Sequence, residues 1–152
     1  MNRSLAIVDD DIMFARILSQ HLAQDGFVVA HFETLEEVYA CERLDAFDLF
    51  IIDMILPDGS GMDLLRELSK REQPPEAIVV TGQPSFANAV DALRLGIVDF
   101  FSKPVELEQV RLAILRTIDT RRVRRLLALK QQQRESPDAF LDSLGVDAVL
   151  LI

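Results

Sequence analysis

Short runs rich in β-branched or aromatic residues recur along the chain up to residue 101: LAIV (5–8), FVVAHF (27–32), LFIID (49–53), AIVVT (77–81) and DFF (99–101). Runs this short, bounded by polar residues and turn formers, read as strands. Between them apolar residues return at helical spacing. Ile12, Ala15, Leu18 and Leu22 line one side of residues 12–24, and Gly26 is placed to close that helix. Segments 35–44, 62–71, 86–95 and 106 onward repeat the pattern, and Gly96 ends the fourth. Five βα units in series leave few options. The pattern predicts an α/β fold, a doubly wound five-stranded parallel sheet with helices on both faces, and a helical C-terminal extension.

In such a fold ligands sit beyond the C-terminal ends of the strands. Asp9, Asp10 and Asp11 follow the first strand, Asp53 closes the third, Thr81 closes the fourth, and Lys103 follows the fifth in FFSKP. Carboxylates gathered at one edge raise each other's pKa unless a hard, oxygen-seeking dication neutralises them. Magnesium suits this set because it takes one or two carboxylates, keeps several waters and works beside phosphate oxygens. A neighbouring ammonium and hydroxyl, Lys103 and Thr81, suit the oxygens of a transferring phosphoryl group. The three consecutive aspartates read as half of a magnesium-dependent phosphoryl site.

Charge narrows the partners. The net charge is −9, and residues 1–110 hold 20 acidic and 8 basic side chains, whereas 111–134 hold one acidic and 8 basic. The acidic body repels nucleic acid, so no direct nucleic-acid binding by this segment is expected. The basic run RTIDTRRVRRLLALK reads first as a solvated helix face and second as a contact for phosphate or an acidic partner. Cys41 is the single cysteine, which excludes an internal disulfide and a cysteine-based metal site. No stretch approaches about 18 apolar residues and no basic, apolar leader is seen, so neither a membrane span nor a secretory signal is read. A cytoplasmic location is the expectation.

IVDDD, FIIDMILPDGSG, VVTG and DFFSKP, in this order and spacing, resemble the signature blocks of the bacterial two-component response-regulator receiver domain, the CheY-like family, over roughly residues 4–118. The resemblance implies a flavodoxin-like sheet and a phosphoacceptor signalling domain rather than an enzyme. It implies that Asp53, followed by Pro57 and Gly61, accepts a phosphoryl group from a sensor histidine kinase or a histidine phosphotransfer protein. Asp9 and Asp10 match the acidic pair that holds Mg2+ together with Asp53, Asp10 directly and Asp9 through water, with the backbone carbonyl of Ile55 as a further ligand. Thr81 matches the hydroxyl that bonds the phosphoryl group, and Lys103 the lysine that pairs with it, followed by Pro104 in the place of a cis-proline. Thr81 and Phe100 match the switch pair, which implies a change in the face made by the fourth helix, fifth strand and fifth helix, and a homodimer through that face. Ile97 and the hydroxyl-free Phe100 depart from the family's usual residues. Asp11 reads either as an extra pocket acid or as a helix N-terminal residue favoured by the helix dipole.

Two other classes compete. Asp9-x-Asp11 after an apolar strand is similar to haloacid dehalogenase-like phosphatases, with Asp9 as the nucleophile. That reading leaves Asp53 and its Pro–Gly loop unexplained, and beyond Lys103 the sequence offers only Glu106, Glu108 and Asp119 for the further acidic pair it needs. A nucleotide-binding module is disfavoured because no glycine-rich phosphate loop follows the first strand. His21 and His31 read as surface or half-buried residues rather than phosphohistidine carriers.

The domain reading is a receiver over 1–118 and a helical extension or linker over 119–152. In the extension Ser136-Pro137-Asp138 reads as a helix start, Gly145 as its stop, and VDAVLLI as an apolar end. The similarity to receivers of DNA-binding transcriptional regulators favours a piece of a longer regulator. A stand-alone receiver acting by protein–protein interaction is the alternative.

Overall fold

All five anticipated strands form. The computed structural model describes residues 3–135; Ser136, Pro137, Asp138, Gly145 and the VDAVLLI end lie outside them. The order is β1 (Ser4–Val8), α1 (Ile12–Gln24), β2 (Val28–Phe32), α2 (Leu35–Tyr39), β3 (Leu49–Ile52), α3 (Gly61–Ser69), β4 (Glu76–Thr81), α4 (Phe86–Arg94), β5 (Asp99–Ser102) and α5 (Leu107–Glu135). The strands pair in parallel in the spatial order β2-β1-β3-β4-β5. This is the flavodoxin-like order, with its switch point between β1 and β3.

The three central strands, β1, β3 and β4, are buried on both faces, whereas the edge strands β2 and β5 are half-buried. Ala6, Val8, Phe50, Ile52, Ala77 and Val79 join one core with Leu35 and Val38 of α2, Leu64, Leu65 and Leu68 of α3, and Ala92 of α4. The alternate residues Leu5, Ile7, Leu49, Ile51, Ile78 and Val80 are equally buried. Period-two alternation points them to the opposite face, where the right-handed crossover puts α1. Asp25, the C-cap of α1, receives two hydrogen bonds from Arg111 (2.7 and 2.8 Å), which places the start of α5 beside it. Gly26 then takes the left-handed backbone, φ +89°, that ends α1 as anticipated.

One helix is shorter than anticipated. The segment 35–44 is helical only over Leu35–Tyr39, and a 3-10 turn follows at Leu44–Ala46. Leu35 and Val38 form its buried stripe, and a continued helix would bring Glu42, seven and four residues on, to that stripe. The chain turns after Ala40 and buries Leu44 instead.

The chain divides into two units between Leu115 and Arg116. The described part of the second is the remainder of α5, on which Val123, Leu126 and Leu127 are exposed.

Candidate functional site

Strand register brings the acids together. Val8 pairs with Ile52, so the residues that follow them, Asp9 and Asp53, leave the sheet side by side. The Asp53 N–H donates to the Val8 carbonyl (2.9 Å) and the Asp9 N–H to the Phe32 carbonyl (3.0 Å), extending the ladder to both. At the next strand Thr81 ends β4, and its carbonyl accepts from the Lys103 N–H (2.8 Å). All four residues therefore meet at one edge. Asp9 is 1% exposed, Asp53 7% and Thr81 0%, whereas Asp10 faces solvent.

Lys103 is the cation among them. Its Nζ lies 2.7 Å from Asp9 Oδ2, 3.5 Å from Asp53 Oδ2 and 3.7 Å from Asp11 Oδ2, and 4.6 Å from the centre of the Phe14 ring. The Lys103–Pro104 peptide bond is cis. Burial opposes the charge on Lys103, but its hydrogen bond to Asp9 and the charges of Asp9, Asp53 and Asp11 outweigh burial and hold its pKa above the usual value. Asp9 moves up as well. Burial raises its pKa to about 6, with the Asp53 charge adding to the rise, against the hydrogen bonds from Lys103 and the Asp11 N–H and the Lys103 charge.

One ammonium does not balance this many carboxylates. Asp9, Asp10 and Asp53 each offer an oxygen, and these oxygens lie within 4.8 Å of one another. A small, open set of hard oxygen donors, one member of it poorly solvated, fits a divalent cation of the magnesium type.

The loop after β3 shapes the surroundings of Asp53. The Ile55 N–H donates to Asp53 Oδ1 (3.1 Å), and Ile55–Leu56 form a two-residue antiparallel ladder with Gly59–Ser60 that the sequence did not announce. A β-carbon at Gly61 would overlap the Asp53 carbonyl oxygen, so only glycine lets α3 start this close to Asp53. The Thr81 hydroxyl accepts from the Gln83 N–H (3.3 Å). Phe100 is half-buried and packs against the core.

Three residues do work that the sequence reading left open or missed. Asp11 is the N-cap of α1, accepting from the Phe14 N–H (3.1 Å), while its own N–H donates to Asp9 Oδ1 (2.8 Å). Both readings of Asp11 hold at once, since it also faces Lys103. Asp58 accepts from the Leu35 and Glu36 N–H groups (2.9 Å each), tying the loop after β3 to the start of α2 and lowering its own pKa through those bonds. Asp between Pro and Gly signals a turn, and nothing local marks it as the cap of a helix 22 residues earlier. His31, read as an ordinary half-buried residue, places Nε2 2.7 Å from the Asp9 carbonyl oxygen.

Parallel sheet, switch-point acids, hydroxyl and lysine place the chain in a class of α/β domains with an acidic pocket at the strand ends. The chain belongs to the response regulator receiver domain family, which matches residues 5–115. It is 34% identical over 114 residues to the acid tolerance regulatory protein ActR of Rhizobium meliloti, covering 75% of this chain and 59% of ActR. It is 37% identical over 115 residues to the transcriptional regulatory protein FlgR of Helicobacter pylori, covering 74% of this chain and 29% of FlgR. The non-phosphorylated HemR receiver domain from Leptospira biflexa superposes with a TM-score of 0.72 at 30% identity, covering 77% of this chain and 94% of that one. The chain spans about three-fifths of the length of ActR and RegA, the first curated relatives it matches. Among the described residues no helix is long and apolar enough to cross a membrane.

Proposed function

We propose that this chain is the receiver of a two-component transcriptional regulator, phosphorylated on Asp53 by a sensor histidine kinase or histidine phosphotransfer protein. The observation that carries this reading is the convergence of the Asp9, Asp10 and Asp53 carboxylates within 4.8 Å, with the Lys103 ammonium in reach of Asp9 and Asp53. Asp53, as a carboxylate, attacks phosphorus. The new bond is carbon-bound oxygen to phosphorus, the bond to the donor's imidazole nitrogen breaks, and that nitrogen keeps the electron pair and takes a proton.

Lys103 and the Thr81 hydroxyl bind phosphoryl oxygens, and the Ile55 N–H orients the Asp53 carboxylate. Asp10, Asp53 and the Ile55 carbonyl would hold Mg2+, with Asp9 contributing through water, and the ion when bound would supply positive charge to phosphoryl oxygens. Ile55 and Gln83, two residues beyond the acceptor and the threonine, govern water access to the acyl phosphate. Thr81 moving toward the phosphoryl group, with inward rotation of Phe100, changes the α4-β5-α5 face.

That face leaves Leu93, Val98 and Leu112 exposed and is the surface for a homodimer. The receiver covers 1–118 and the segment 119–152 leads to the output. Intact-protein mass after incubation with acetyl phosphate tests the chemistry: one phosphoryl group is gained with Mg2+, none without it, and none in Asp53→Asn. Phosphatase turnover lost in Asp9→Asn, with no phosphoryl gain, would overturn the reading in favour of the dehalogenase-like class.

A further inference from the structure

Each carboxylate of the pocket has to be aimed, and the means differ. Asp9 is held through its side chain by Lys103 and the Asp11 N–H, and Asp53 by the Ile55 N–H. Asp10, the exposed member, sits where β1 has ended and the chain turns into α1. Its carboxylate direction follows from its backbone, and that backbone begins with the Asp9–Asp10 peptide.

His31 grips this peptide. It lies on β2, opposite Ile7 in the β1 register, and its ring reaches past the end of β1 to the Asp9 carbonyl at 2.7 Å. A carbonyl oxygen only accepts, so Nε2 carries the proton and donates. The Asp9 N–H is already fixed by the Phe32 carbonyl at 3.0 Å. Backbone on one side and the His31 ring on the other thus lock Asp9 and fix the plane from which Asp10 departs.

We propose that His31 is a positioning residue for the cation site, setting the direction of Asp10 through the Asp9–Asp10 peptide. The proposal rests on the receiver reading, in which Asp10 binds the cation directly. It assigns His31 no proton transfer and no contact with the phosphoryl group. Partners that orient a ligand without touching the metal typically contribute about 10- to 100-fold to affinity. The lower end applies to a contact made through the backbone.

MgCl2 titrations by calorimetry at one fixed pH, on the wild type and on His31→Gln, His31→Asn and His31→Ala, test this. The glutamine amide nitrogen reaches about as far as Nε2, whereas the asparagine nitrogen falls short. Wild type and His31→Gln are expected to bind within about twofold of each other, and His31→Asn and His31→Ala about 10-fold more weakly. Any other order, including four equal affinities or a glutamine variant as weak as alanine, overturns the proposal. The acetyl phosphate mass measurement on the wild type separates the two levels. A wild type that neither binds MgCl2 nor gains the phosphoryl group brings down the receiver reading too, while one that does both confines the failure to His31.

Discussion

Helices α3 and α4 share their length and their N-capping residue. Each has nine residues, a serine N-cap whose hydroxyl accepts from the helix's first turn, and an arginine in the last turn. Their packing differs. α3 buries Gly61, Met62, Leu64, Leu65 and Leu68, whereas α4 buries Ala92 alone and leaves Leu93 exposed and Phe86 87% exposed. α3 follows Asp53, the proposed acceptor, and α4 follows Thr81. The helix after Asp53 is thus anchored by five buried residues, whereas the one after Thr81 has one buried residue beside the half-buried Ala89 and Val90. Helices anchored by few buried apolar contacts are the ones that open and shift at low cost.

Truncation breaks or sharpens this contrast most directly. Leu64→Ala should lower global stability by about 3 kcal/mol in urea titration, and Leu93→Ala by less than about 0.5 kcal/mol. Equal losses would mean that α4 is as anchored as α3. Phosphorylation comes next. Hydrogen exchange of α4 amides should change by about 10-fold on acetyl phosphate treatment while α3 amides stay within about twofold, and Asp53→Asn should abolish the difference.

The pH dependence belongs to the anchored side. Asp9 has its pKa raised to about 6, so it is charged above that pH and takes a proton as pH falls through it. A proton and a cation compete there. Mg2+ affinity should be flat above pH 6 and fall by about 10-fold per unit below it, a dependence that Asp9→Asn removes. The raised value also means that the charged form costs stability at neutral pH, by roughly 3 kcal/mol at most for a shift near two units. Metal-free Asp9→Asn should therefore melt higher than the metal-free wild type at pH 7.5 and lose that advantage as pH falls below 6.

The smallest effects come from the two caps. Ser60→Ala and Ser85→Ala each remove a bond worth about 1 kcal/mol. The first should appear in global stability, and the second as about fivefold faster exchange confined to α4.

The three central strands were legible because they are buried on both faces and so read as unbroken apolar runs, and the half-buried edge strands because they keep β-branched and aromatic residues. The strand ends carried Asp9, Asp10, Asp53, Thr81 and Lys103 with them, and a position at a strand end is readable without knowing any side-chain direction. What was not legible depends on partners far apart in the chain. Arg111 with Asp25, Asp58 with the start of α2, and the Asp9 carbonyl with His31 are set by strand register and helix docking. Helix α2 was overextended because Leu44 stands three and four residues after the small apolar Cys41 and Ala40, whereas the stripe of Leu35 and Val38 runs on to Glu42. The contrast between α3 and α4 was equally hidden, since both carry apolar residues at helical spacing and only the fold decides which of them are covered.

The raised pKa of Asp9 has a calorimetric consequence. Below about pH 6 most of the protein would enter the proposed binding reaction with Asp9 protonated, and cation binding would expel that proton into the buffer. The heat of Mg2+ binding should then differ between buffers of unequal ionisation enthalpy at pH 5.5 and converge at pH 8. With Mg2+ bound as proposed, the pocket would behave at acidic pH as an ion exchanger, trading hydrogen ions for magnesium.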